Sequence, residues 1–130
     1  MNKTAYLLTR LAIGISMFGH GFVRLFKLND FATHVIQSFE KSMLPGGLVT
    51  VFGYVLPFAE FITGVLLITG LFTKQAAIAG CIIMFMLLFG SSMIENWDVF
   101  TSQLVHVLFF VAVIQFMESN SCAIDNLRKK

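Results

Sequence analysis

Five polar residues in largely apolar stretches could do chemistry: Arg10, His20, Glu60, Gln103 and His106. These residue types can carry protons, pair as ions, or hold a ligand by hydrogen bonds. Glu60 is the most demanding of them. From Leu48 to Phe72 it is the single residue charged at neutral pH in 25 residues. A carboxylate in the middle of such a run needs a partner or a task, because an isolated charge in hydrocarbon is expensive.

Helical spacing limits which groups can meet. Arg10, Gly14, Met17, Gly21 and Arg24 follow one another by four or three residues, which is one face of a helix. Gly53, Glu60, Gly64 and Leu67 share a face of the second run by the same arithmetic. Each residue lies about 1.5 Å deeper than the one before it, from the outer end of its run. His20 and His106 then lie about 10 Å in, Glu60 about 18 Å and Arg10 about 24 Å. Glu60 is therefore expected to point into the bundle and contact Arg10, directly or through water. Arg24, near the end of its run, is expected to snorkel to the interface.

Composition sets the class. The 130 residues allow one domain, 57% hydrophobic and 12% charged, with a mean hydropathy of +0.83. A soluble domain carries about 25% charged residues. Fifteen phenylalanines and seven methionines exceed what a soluble core of this size could hide. The expected fold is all-α, an integral membrane four-helix bundle with spans near 5–26, 48–72, 76–94 and 99–117. A short amphipathic helix is expected at 30–43, with Phe31, Val35, Phe39 and Met43 on one face. Asn29 or Asp30 would cap it, and Pro45-Gly46-Gly47 would stop it. The polar tail 118–130 reads as frayed. Pro57 should kink the second span.

Basic residues orient the bundle. Lys3, Lys74, Arg128, Lys129 and Lys130 fall on one side, which places both termini in the cytoplasm. A net charge of +2 is too small to suggest nucleic acid. The two cysteines, Cys81 and Cys122, form no C-x-x-C. Self-association is an expectation from size, with Gly80 and Gly90 as close-contact points.

Taken together, Arg10, Gly14, His20-Gly21 and Lys27-Leu28, followed by Pro57, Glu60, Gly64, Leu67, Gly70-Leu71 and Thr73-Lys74, resemble the DoxX family of small bacterial four-helix membrane proteins. The resemblance runs over about residues 7–115. It implies a four-helix bundle in the bacterial cytoplasmic membrane. Family members resemble subunits of thiosulfate:quinone oxidoreductases, or associate with redox enzymes, and related animal proteins act as membrane chaperones.

Each polar group has a plain reading beside a chemical one. Arg10 and Glu60 read first as a structural ion pair, and otherwise as a proton-exchanging carboxylate with its tuning cation. His20 and His106 read first as hydrogen-bonded interior histidines. Beyond that they fit cofactor binding: a quinone carbonyl with Gln103 assisting, or less readily the two axial ligands of a b-type haem. No spacing motif singles out a metal site. The chain has no self-contained catalytic motif, so whether it is an enzyme stays open. The leading reading is a redox-associated subunit that binds quinone or a partner oxidoreductase. A non-enzymatic assembly or chaperone module stands beside it, and a small-solute transporter behind both.

Overall fold

The computed structural model describes residues 1–129 as a helical bundle. Lys130, counted above toward orientation and the tail, lies outside the described residues. The elements are α1 (Lys3–Phe26), α2 (Leu28–Ser38), α3 (Gly46–Thr69), α4 (Thr73–Met93), α5 (Phe100–Gln115) and α6 (Ile124–Arg128). A 3₁₀ turn, Met117–Ser119, extends α5. Helices α1, α3 and α4 are long and apolar enough to cross a membrane; α5 is apolar but has 16 residues, about 24 Å of helix.

The surface is inverted relative to a soluble protein. Leu8, Ile15, Val55, Ile62, Phe85 and Leu108 are exposed, whereas Arg10 and Glu60 are each 2% exposed. That arrangement suits lipid outside and polar groups satisfied within. The buried face of α3 is Gly53, Leu56, Pro57, Glu60, Gly64 and Leu67.

Helix α1 packs antiparallel on α3 through glycines. A Cβ on Gly21 would strike the backbone of Phe61 and Pro57, and one on Gly64 would strike the backbone of Phe18. Gly14 faces Leu67 and Ile68. These contacts fix the register of the pair. They offset α3 by about eight residues, or about 12 Å, from an alignment in which the two helices share an outer end. The first turns of α3 therefore overhang α1, and α2 covers them. Ala32 lies on Gly53, and the Tyr54 hydroxyl donates to Asn29 Oδ1 at 3.1 Å.

Three local expectations change. Helix α2 starts at Leu28 and ends at Ser38, with no side-chain cap, because its N-cap is Lys27 and Asn29 and Asp30 already lie in its first turn. Pro45 stands at the N-cap of α3 and Gly46 begins the helix, so this motif starts a helix as well as ending the loop before it. The tail is docked rather than frayed. Asn120 is buried, and Asp125 takes the backbone N–H groups of Phe72 and Thr73 at 2.7 and 2.8 Å. Partial burial works to raise the Asp125 pKa, but the hydrogen bonds from Thr73 and Phe72, with Arg128 nearby, outweigh it and hold the carboxyl below the usual range.

Gly80 and Gly90 are not free contact points. The Phe110 ring of α5 fills the space over Gly80, and the Phe39 ring rests on Gly90. Both glycines serve packing within the chain, so neither is available as a close-contact point for a second copy.

Candidate functional site

Glu60 projects from the middle of α3 into the bundle, and its partner is Arg24. The Arg24 Nη1 donates to Oε1 at 2.6 Å and to Oε2 at 2.8 Å. The expected contact with Arg10 is not formed, for two physical reasons. The glycine register places Arg24, not Arg10, one turn from Glu60. Side chains on a helix also lean toward its N-terminus. In this antiparallel pair Arg24 leans inward and Glu60 leans out to meet it, while Arg10 leans away toward the end that carries the termini.

Arg10 has a separate environment there. Its Nη1 donates to Asn120 Oδ1 at 2.5 Å and its Nη2 to the Cys122 carbonyl at 2.7 Å. Asn120 Nδ2 donates on to Thr73 Oγ1 at 3.3 Å. Arg10 thus ties α1 to the tail and to the start of α4, through neutral acceptors.

Arg24 is held from a third side. Its guanidinium lies over the Phe31 ring of α2, 4.5 Å from the centroid, a cation–π contact. One arginine therefore joins α1, α2 and α3 at a single level.

Above this junction is a half-enclosed cavity of about 270 Å³. His20, Arg24, Glu60, Gln103 and His106 all line it, and His34 of α2 joins them. All three histidines of the chain meet at this one place. Met17, Phe31, Phe52, Leu56, Met84 and Leu87 form its apolar walls. Of the five residues singled out by sequence, four are brought together and Arg10 is not. Arg24 and His34 were missed as site residues. Arg24 shares the glycine face of α1, which was a usable signal; His34 sits on an amphipathic helix whose polar face read as solvated.

Hydrogen bonding fixes what these groups can offer. A backbone carbonyl can only accept, so His106 Nδ1 donates to Ser102 O at 2.7 Å. Its Nε2, unprotonated in the neutral ring, then accepts from the Ser16 hydroxyl at 2.7 Å. His20 Nδ1 likewise donates to Ser16 O at 2.7 Å, which leaves its Nε2 a free acceptor in the neutral ring. The two rings lie with centroids 6.0 Å apart, edge to face. Gln103 Nε2 donates to Ser91 Oγ at 3.0 Å, and its buried Oε1 has no partner.

This donor set does not fit a bis-histidine haem. Both nitrogens of His106 are committed, and iron ligation would strip Ser16 or Ser102 of its bond. Among the described residues no group of three His, Cys, Asp or Glu side chains is placed to hold a metal ion.

Fold and site together define a small multi-pass helical membrane protein with an ion-paired polar cavity inside its bundle. The DoxX family model matches residues 5–92, and the chain belongs to the DoxX family. The matched segment carries His20, Arg24 and Glu60, and it ends before α5 supplies Gln103 and His106. Neither a curated protein nor a solved structure matches the chain.

Proposed function

We propose that this protein binds the headgroup of a lipid-soluble quinone in the α1–α5 cavity, as a membrane subunit serving a partner oxidoreductase. The observation that carries the reading is the pair of unused acceptors, His20 Nε2 and the buried Gln103 Oε1, on two residues that line one cavity with apolar walls. Small-molecule sites of this kind combine apolar walls with a few placed polar groups.

The acceptors select the form of the ligand. A quinone presents two carbonyls, which also accept and leave both protein groups unsatisfied. A quinol presents two hydroxyls, which donate to them. The reduced form therefore fits a neutral His20. The oxidised form needs the protonated ring, whose Nε2–H donates. Conversion of quinol to quinone releases two electrons and two protons. The partner oxidoreductase takes both electrons, His20 Nε2 takes the first proton from the hydroxyl it holds, and the second proton, from the hydroxyl on Gln103, passes to water at the open side of the cavity. The Arg24–Glu60 pair fixes the charge balance beneath the ring.

The test uses purified protein in lipid nanodiscs, titrated with a short-tailed quinone and with its quinol. The quinol is expected to bind roughly tenfold more tightly, the equivalent of one good hydrogen bond. Gln103→Leu should erase most of that preference. Absence of binding by either form, with no quinone in a solvent extract of the membrane-purified protein, overturns the proposal.

A further inference from the structure

The polar cavity is small for a whole ligand. At about 270 Å³ it falls just under the common range of small-molecule sites, about 300–1,000 Å³. It can take a ring and its oxygens but not a long tail as well. A second cavity, of about 390 Å³ and almost wholly apolar, lies beside it between α2, α3 and α4. The two share five wall residues: Val35, Phe39, Phe52, Met86 and Gly90.

The shared wall is thin where α2 ends. Phe39, the C-cap of α2, lays its ring against Gly90, where an added Cβ would sit 3.0 Å from its Cζ. Any side chain at position 90 would crowd this ring. Beyond it, Ile82, Phe85, Met86 and Phe89 follow the i, i+3, i+4, i+7 pattern and line the outer groove from α4. Ile82, Phe85 and Phe89 are more than half exposed, on the lipid side of the bundle.

From this continuity we infer that the α2–α3–α4 groove holds the apolar tail of the same ligand whose headgroup occupies the polar cavity, and that the ligand enters sideways from the bilayer past Phe39 and Gly90. The inference rests on the quinone reading of the cavity. It adds a route, an orientation and a chemical requirement: the ligand is an amphiphile with a tail long enough to leave the headgroup chamber. The N-terminal part of α2 is anchored by the Arg24–Phe31, Tyr54–Asn29 and Ala32–Gly53 contacts. Its C-terminal end, at Phe39, is the part that borders the passage.

Two ligands separate the two readings. A tail-less quinol reports on the headgroup cavity alone; a long-tailed quinol reports on cavity and groove. Ile82→Trp fills the groove from an exposed position outside the polar cavity. It is expected to weaken the long-tailed ligand tenfold or more and to leave the tail-less one unchanged. If the tail-less quinol binds but Ile82→Trp leaves both affinities unchanged, the tail lies elsewhere and this inference is overturned. If the tail-less quinol fails to bind the unaltered protein, the headgroup reading falls first. As a second measurement, a quinol with a photoreactive group in its tail is expected to label residues 82–89, and excess unlabelled quinol should block that labelling. Equal labelling by a phospholipid with the same group in its acyl chain, unaffected by quinol, means that ordinary lipid fills the groove and also overturns the inference.

Discussion

Arg24 donates one nitrogen to both carboxylate oxygens of Glu60, at 2.6 and 2.8 Å, and the two partners differ in their access to solvent. The Arg24 side chain is 29% exposed and that of Glu60 is 3% exposed. Removing either one is therefore not equivalent. Arg24→Met strands a buried carboxylate and is expected to cost about 3 kcal/mol. Glu60→Gln leaves an arginine that can still reach solvent and is expected to cost about 1 kcal/mol. The double variant should recover part of the larger loss, since no unpaired charge remains. Unfolding in mild detergent with increasing SDS measures all three. Equal losses from both single variants would argue against the asymmetry.

The glycine register predicts a sharp contrast among glycines. Gly21→Ala and Gly64→Ala each place a methyl against the backbone of the partner helix and should lower stability by about 1–3 kcal/mol. Gly19→Ala has nothing within 4 Å of the added carbon. It should be neutral or slightly stabilising. Thermal melts of the three proteins in one detergent check this.

Docking of the tail should depend on pH through Asp125. Its folded-state pKa is lowered, so its contribution is present above the unfolded value, 3.8, and is lost as pH falls through the folded value. Amide exchange at Phe72 and Thr73 should therefore accelerate only in strong acid. Asp125→Asn keeps one acceptor and loses the other, so it should remove that acid dependence and cost about 1 kcal/mol, as expected for one lost hydrogen bond. An unchanged exchange profile would show that the carboxylate does not hold these amides.

Arg10→Met should loosen the tail without touching the cavity. Asn120 Oδ1 and the Cys122 carbonyl lose their donors, so exchange across residues 119–126 is expected to rise. Quinol affinity should stay the same, because Arg10 lies at the other end of the bundle. A large loss of affinity would tie the two ends together in a way these contacts do not explain.

Both termini are expected on the cytoplasmic side, from the basic asymmetry of the chain. With Cys81 and Cys122 replaced by serine, S119C should react with a membrane-impermeant thiol reagent only from the cytoplasm, and S42C only from the opposite side. Labelling of both positions from one side overturns this topology.

Much of this molecule was legible in its sequence, for reasons visible in particular residues. Glu60 declared its inward face because Gly53, Gly64 and Leu67 lie on the same stripe, and all four are buried. His20 and His106 could be matched by depth because each sits a similar distance from the end of its run. The partner of Glu60 was not legible from depth alone. Run lengths do not reveal that α3 overhangs α1, and the direction in which a side chain leans decides between Arg10 and Arg24. The tail was misread because its order comes from single hydrogen bonds at Asn120, Asp125 and Asn126 rather than from any periodic pattern.

The Arg10–Asn120 bond also says something about the order in which the protein is made. Its partners lie 110 residues apart, so the ribosome delivers α1 long before the acceptors that satisfy it. Until residues 120–122 emerge, the Arg10 guanidinium must keep water or lipid headgroups as partners. The first helix can thus insert early but cannot reach its final depth early. A stretch made 110 residues later is the one that locks this helix in place.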